Sequence, residues 1–418
     1  MNYFMDRNTQ DVDTVKAVGK KDILVGIPSF KNQETIAYVV EVVGKGLEKY
    51  FPDYSAVIMN SDGNSPDETR KRVEDACVPV GIDKVISIYS GISGKGSAFR
   101  NIFEVSRYLD VKGCVVVDSD LRSITPEWIR LLLEPILEGR LDYITPLYIR
   151  HKYDGTITNN FVYPLTRSLY GYDIRQPIGG DFGFSARLLN SYLNQDVWET
   201  SVAKYGIDIW MTTTALAEGF RVGQAALGAK IHDAKDPSIF LAPMFRQVVG
   251  TMFTMARRFD KKWMNVNKVL DTPLVGEPFD REPEPVAASY DPLVEKFEKG
   301  YKDFADFWKK HLATENYELL ESVHKGVKDK SFNISNLQWA KLIFDFLILF
   351  NKNKEMEEEI LDSLTPLYFI KIADFMNKAD SKNTADSEEM IIEQAREFLR
   401  QKDYLVSRWE KEMLAREV

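Results

Sequence analysis

Cys114-Val115-Val116-Val117-Asp118-Ser119-Asp120 is a short apolar run, mostly β-branched, that stops abruptly at two carboxylates. Its length and composition suit a strand buried on both faces. The polar stop puts paired negative charge at that strand's carboxyl end. Upstream, residues 22–28, 55–59 and 84–89 are three further apolar runs of the same kind. Between them, residues 34–50, 67–76 and 97–109 carry helical periodicity. Pro126 opens another helix, where its missing N–H does no harm. This alternation predicts a mostly parallel α/β sheet with helices on both faces, and ligands at the carboxyl ends of the strands. The polar clusters fall at those ends: residues 28–32, Asp62-Gly63, Gly94-Lys95-Gly96 and Asp118-Ser119-Asp120.

Downstream, Gln176-Pro177-Ile178-Gly179-Gly180-Asp181 is a glycine-rich turn, without the lysine of a phosphate loop. Residues 205–218 form a helix candidate, and 221–232 a last strand ending at His232. Pro273, Pro278, Pro283 and Pro285 then mark a linker over 271–290. Beyond it, residues 293–308, 339–350, 355–364 and 388–409 predict amphipathic helices. The expected organisation is a lead-in over 1–20, an α/β domain over 21–270, the linker, and a mainly α-helical domain over 291–418.

The chain has 418 residues, which favours two domains. Its 54 basic and 63 acidic residues give a net charge of −9. That argues against nucleic acid or an anionic membrane as the main partner. Residues 1–20 lack the apolar core of a signal peptide, and no run reaches the ~18 apolar residues of a membrane span. A cytoplasmic protein is expected. Cys77 and Cys114 lack any metal-ligand spacing and read as buried thiols in a reducing compartment.

Asp118 and Asp120 at one strand end would repel unless a cation lay between them, and Mg²⁺ or Mn²⁺ takes such oxygen ligands. The plainer reading is a carboxylate pair capping the next helix. His232 could join as an imidazole ligand or be structural. Lys95, between glycines at a helix start, suits a phosphate, although a solvated loop lysine has the same spelling. Asp62 could accept from a base or ribose, or cap a helix.

Taken in order, this set resembles the GT-A fold glycosyltransferases. It is most similar to the retaining families that make glucosylglycerate, glucosyl-3-phosphoglycerate and mannosylglycerate. Gln176–Asp181, Tyr205-Gly206-Ile207-Asp208 and Lys230-Ile231-His232 carry the likeness, over about residues 20–260. The resemblance implies a metal-dependent hexosyltransferase using UDP-glucose, GDP-glucose or GDP-mannose and a small carboxylate acceptor. It implies that Pro28, Ser29 and Asn32 hold the nucleoside, with Asp62 facing the base. Lys95 would meet the diphosphate, and Asp118 with Ser119 the ribose region. Asp120 and His232 would ligate Mg²⁺ or Mn²⁺. Gly179, Gly180 and Asp181 would lie beside the donor sugar, and Asp208 would contact it; Asp181 and Asp208 are the catalytic candidates. Arg150, Gly155, Thr156 and Thr158 would bind the acceptor. Where phosphoglycerate-using relatives resemble Gly-Arg-Val-Thr, this chain has Gly155-Thr156-Ile157-Thr158. Losing that bidentate guanidinium favours an unphosphorylated acceptor such as D-glycerate over 3-phosphoglycerate. The apolar residues Phe245, Met252, Phe253, Met255, Trp339, Phe344, Phe346 and Phe350 read as core, with a homodimer face as a further expectation. The rival readings are a sugar nucleotidyltransferase and a degenerate transferase that only binds a nucleotide-sugar. The first normally has a glycine-rich basic loop after the first strand, where this chain has Pro28-Ser29-Phe30-Lys31.

Overall fold

The computed structural model describes residues 9–231, 237–278, 283–286 and 288–414. Among the described residues, eight strands form one sheet: β1 (Ile23–Ser29), β2 (Ala56–Asp62), β3 (Ile82–Ile88), β4 (Gly113–Val116), β5 (Tyr143–Ile149), β6 (Phe182–Ser185), β7 (Val222–Ala229) and β8 (Leu274–Val275). Their order is β3-β2-β1-β4-β6-β5-β7-β8. Only β6 runs antiparallel to its neighbours; the other pairings are parallel. The expected mostly parallel α/β sheet is present. Its order reverses at β1, which lies between β2 and β4, so a crevice opens at the carboxyl ends of β1 and β4.

The helices between these strands are α1 (Thr9–Val18), α2 (Ile36–Tyr50), α3 (Thr69–Asp75), α4 (Lys95–Tyr108), α5 (Pro126–Leu137), α6 (Tyr163–Tyr170), α7 (Ala186–Leu193) and α8 (Ile207–Ala217). Side chains alternate along a strand, so one face of β1 presents Ile23, Val25 and Ile27. These pack with Ile58, Val115 and Val117 against Val39 and Val43 of α2 and Leu132 and Ile136 of α5. Gly26 points the other way. A Cβ there would lie 2.5 Å from Ile102 Cγ2 of α4, so the missing side chain is what admits that helix. Helices therefore cover both faces.

The later helices are α9 (Pro237–Arg258), α10 (Asp260–Trp263), α11 (Tyr290–His311), α12 (Thr314–Gly326), α13 (Asn336–Lys352), α14 (Glu357–Ala379), α15 (Thr384–Arg400) and α16 (Lys402–Trp409). Two compact units result. The sheet unit comprises 1–149, 174–235 and 272–283; the helical unit comprises 150–173, 236–271 and 284–418. The chain thus passes between units more often than one linker at 271–290 requires, and β8 lies within that stretch, paired to β7.

In the helical unit, Tyr163 packs with Phe375, Ile391 and Ala395. Phe245 stacks on Tyr368 with ring centroids 4.3 Å apart. Met252, Phe253, Met255, Trp339, Phe344, Phe346 and Phe350 are buried, as expected of core. Gly300 of α11 lies against Pro366 of α14, where a Cβ would come within 2.1 Å of the ring. The helix expected over 388–409 breaks at Gln401 into α15 and α16.

One thiol departs from expectation. Cys114 is buried, and burial pushes its thiol up to about 12. Cys77 is exposed, because it follows the end of α3 in an outward loop. Among the described residues, no helix is long and apolar enough to cross a membrane.

Candidate active site

The polar ends of β1 and β2 meet first. Asp62 ends β2 fully buried. It accepts from Ser29 Oγ at 2.7 Å, Ser65 N at 2.6 Å and Ser65 Oγ at 2.7 Å. Arg70 Nε lies 3.7 Å away. A carboxylate has about four lone-pair sites, so these partners occupy it. The carboxylate braces the loops after β1 and β2. Ser29 also accepts from Asn60 Nδ2 at 2.8 Å, and Pro28 pairs across to Ser61. Asn32 Oδ1 accepts from Phe30 N at 3.0 Å, which fixes the loop after β1. Phe30 is left 53% exposed. Gly63 lies between Phe30 and Tyr89: a Cβ there would be 3.2 Å from the Phe30 ring and 3.1 Å from Tyr89 Oη.

The second cluster joins β4, β5, α4, α8 and the end of β7. Lys95 opens α4 and donates to Asp118 Oδ1 at 3.0 Å and Asp208 Oδ2 at 3.3 Å. Lys230, just past β7, donates to Asp118 Oδ2 at 2.7 Å, Asp181 Oδ2 at 2.8 Å and the Gly179 carbonyl at 2.9 Å. Asp181 Oδ1 accepts from the Asp118 N–H at 2.8 Å, and Oδ2 also accepts from Tyr148 Oη. Two ammonium groups and three carboxylates thus interlock within hydrogen-bond distance.

Their protonation follows from that geometry. Burial works to raise the Asp118 carboxyl, but Lys230 and Lys95 outweigh it and hold it far below the usual range. Burial opposes the Lys95 charge, yet Asp118 and Asp208 keep it firmly cationic. Asp181 is fully buried beside the charged Asp118, so it is the weaker acid of the two. Burial also raises Asp208, which Lys95 only partly offsets. Asp208 stands in the first turn of α8, where the helix dipole favours negative charge. Its Oδ1 is buried and has no hydrogen-bond partner among the described residues.

The turn before β6 is fastened from both sides. Gln176 Nε2 donates to the Tyr148 carbonyl at 2.8 Å, and Thr212 Oγ1 to the Pro177 carbonyl at 2.6 Å. Gly180 has φ +94°, and a Cβ there would lie 2.3 Å from Asp118 Oδ2. A Cβ on Gly179 would lie 2.2 Å from Pro146. These two glycines let the turn close onto the aspartates.

The glycines beside Lys95 are required by a close backbone approach. A Cβ on Gly94 would be 2.5 Å from the Ala203 carbonyl, and one on Gly96 would be 1.8 Å from that of Val202. Gly96 N also donates to the Lys204 carbonyl at 3.1 Å. They admit the backbone of residues 202–204, which covers the start of α4.

Asp120 lies in the turn after β4, half-buried. The Ser119 carbonyl accepts from Thr35 Oγ1 at 2.8 Å. Arg122 N donates to the Ile231 carbonyl at 2.9 Å, and Ile231 N to Ser123 Oγ at 2.9 Å. The chain is therefore tied to the Asp120 turn up to position 231. His232, the other expected metal ligand, lies outside the described residues. Among those residues, no group of three or more His, Cys, Asp or Glu side chains could hold a metal ion.

The acceptor candidates belong to the helical unit. Arg150 Nη1 pairs with Asp154 Oδ2 at 3.1 Å, and Gly155 adopts φ +64°. Thr156 Oγ1 lies 2.6 Å from Tyr368 Oη. Thr158 is buried.

Sequence reading missed Lys230 as a charge carrier and Tyr148 altogether. Lys230 was visible in the Lys-Ile-His ending, but its adjacency to Asp118 and Asp181 depends on β4, β6 and β7 sharing one sheet.

No protein-family model matches the chain. Among solved structures, it is similar to glucosyl-3-phosphoglycerate synthase from Mycobacterium tuberculosis in complex with Mn²⁺, uridine diphosphate and phosphoglyceric acid. That match has 21% identity, covers 60% of this chain and 83% of that one, and has a TM-score of 0.46. The same enzyme with Mg²⁺ and uridine diphosphate matches at 21% identity over 60% and 84% of the two chains, with a TM-score of 0.45. A mycobacterial protein matches at 22% identity over 60% and 79%, with a TM-score of 0.44.

Proposed function

We propose that the sheet unit binds a nucleotide-diphosphate sugar and transfers its hexose, with retention, to a small carboxylate acceptor such as D-glycerate. The observation that carries this reading is the cluster of Lys95, Lys230, Asp118, Asp181 and Asp208 at the carboxyl ends of the strands, in which Asp181 and Asp208 are buried and Lys95 and Asp118 half-buried. Two ammonium groups match the charge of a diphosphate. The partnerless Oδ1 of Asp208 is an acceptor aimed at something that donates, and a sugar hydroxyl does so.

In this reading the base lies over the exposed Phe30, next to Gly63 and Tyr89, with Ser29, Asn32 and the braced Asp62 shaping the loop beneath. Lys95 and Lys230 exchange carboxylate partners for phosphate oxygens. Asp118 then becomes available to ribose hydroxyls. The acceptor hydroxyl attacks the anomeric carbon on the face from which the phosphate departs. The bond from that carbon to the phosphate oxygen breaks, a bond to the acceptor oxygen forms, and the hydroxyl proton passes to the departing phosphate. Asp208 and Asp181 offset positive charge on the sugar ring as it develops.

The reading includes a divalent cation of the kind that binds through one carboxylate and substrate phosphates. Asp120 and His232 would hold it. When bound, Mg²⁺ or Mn²⁺ would neutralise charge on the leaving diphosphate. Arg150, Gly155, Thr156 and Thr158 are assigned to the acceptor by the sequence resemblance. The Thr156 hydroxyl is engaged with Tyr368, which agrees with an acceptor that needs no phosphate contact at that position.

The test is nucleotide release from UDP-glucose, GDP-glucose and GDP-mannose, with Mg²⁺ or Mn²⁺, against D-glycerate and 3-phosphoglycerate. Release that requires D-glycerate and metal, and is lost in Asp120→Ala, is expected. A strong preference for 3-phosphoglycerate would refute the acceptor; nucleotide binding without turnover on any pair would favour the non-catalytic binder.

A further inference from the structure

The helical unit contains a cleft of about 320 Å³. We propose that this cleft is a second ligand site, which takes a small organic anion: an oxyanion head on Lys371 and a short apolar body over Phe375, Met390 and Ile391.

The head group is argued from charge. Lys371 lines the cleft, and its side chain is only 3% exposed. Its contact with Asp374 Oδ2 is long, at 3.4 Å. That same oxygen accepts from Lys378 Nζ at 2.7 Å, while Asp374 Oδ1 accepts from Ile334 N at 3.1 Å. Two ammonium groups therefore share one carboxylate, and the closer bond goes to Lys378. Glu393 also lines the cleft, but it pairs with Arg400 at 2.6 Å and Arg396 at 3.3 Å. An ammonium carries three N–H donors, and Lys371 spends one on a long bond. Burial outweighs Asp374 and draws the Lys371 ammonium down to about 8. The Trp339 ring, with its centroid 5.8 Å from the ammonium, adds a weak cation–π contact. A buried cation held by a long ion pair and a distant ring is still costly, and a bound anion relieves that cost.

A second element points the same way. Ser335 and Asn336, at the start of α13, line the cleft. The capping box joins the Ser335 and Gln338 side chains to each other's backbone N–H groups. The amides of Asn336 and Leu337, between those two, have no intrahelical acceptor, and no acidic side chain occupies that turn. The positive end of a helix seventeen residues long thus faces the space beside a buried ammonium. Beside the polar Asn333 and Gln394, the wall has an apolar stretch of Phe375, Met390 and Ile391, which bare phosphate would leave unused.

The experiment is calorimetric titration of the full chain with hexanoate, acetate and inorganic phosphate at constant ionic strength. One saturable hexanoate site is expected, tighter than acetate or phosphate. Lys371→Met should weaken it at least tenfold while melting no lower than wild type without ligand, since it removes an ill-matched buried charge. Lys371→Gln supplies the same comparison if the methionine variant does not fold, and Lys371→Arg should retain binding. No saturable heat with any of the three anions overturns the site, as does unchanged hexanoate binding in the Met and Gln variants. Phosphate binding as tight as hexanoate overturns the apolar half of the assignment.

Discussion

Asp208 is the residue at which charge, burial and an unused oxygen coincide. Its carboxyl is raised by burial, then lowered in part by Lys95. A raised acid is protonated in the fold at pH values where the unfolded chain has already released the proton. Stability therefore falls as pH rises from the usual carboxylate range to the raised value, and is flat above it. Activity runs the other way, because only the ionised form offsets positive charge on a sugar ring. The acid limb of kcat should lie above the usual carboxylate range. Asp208→Asn should lose that limb and lower kcat on the order of 100-fold, as for loss of one preorganised electrostatic contact. A pH–rate profile of both forms checks this, and an unshifted limb in the variant would remove Asp208 from the chemistry. Much of the cluster was legible at this scale: Lys95, Asp118, Asp181 and Asp208 were all named from sequence and all meet. Lys230 was named within the Lys-Ile-His ending but given no role, because no local pattern shows that the end of β7 brings it to Asp118 and Asp181. The protein partners of Asp62 were not legible either, since nothing in Ser-Asp-Gly foretells that Ser29 and Ser65 will bond to it.

At the scale of elements, the early strands were legible because each is an apolar run ended by a polar turn. β5 was not, because Pro146 interrupts it and proline argues against an internal strand. The pairing explains its presence: β6 meets β5 only at Tyr143 and Ile144, so Pro146 lies beyond the part that β6 pairs. β6 was hidden by its four-residue length and its antiparallel direction. The glycine turns separate two kinds of tightness. Gly96→Ala would drive a Cβ into the Val202 carbonyl, so α4 and residues 201–204 must part. A loss of about 1–3 kcal/mol is expected, by analogy with overpacking, and should be read as a lower denaturation midpoint. Gly180→Ala adds a left-handed backbone to a clash with the Asp118 carboxylate. Here nucleotide affinity should fall more than stability does. Titration with nucleotide beside a melt of each variant distinguishes the two, and equal effects on both readings in Gly180→Ala would show that the turn is only structural.

For the whole molecule, the sequence conveyed two architectures but not their interleaving. Helical periodicity marks residues 205–218 or 339–350 as helices, yet does not say with which unit a helix packs. The proline-rich stretch looked like a boundary because composition changes there, whereas the segments that change unit near 150, 173 and 236 carry no such shift. The net charge of −9 bears on the site as well. A dianionic ligand approaches an acidic protein against a general repulsion, so binding must come from the local ammonium pair and a cation. Nucleotide diphosphate should then stabilise the chain only when Mg²⁺ or Mn²⁺ is present. At 100 times Kd the expected gain is about 2.7 kcal/mol. It should appear as a rise in melting temperature that a chelator abolishes and Asp120→Ala reduces. A full rise in the presence of chelator would mean that Lys95 and Lys230 suffice for the diphosphate, and that Asp120 holds the turn rather than a metal.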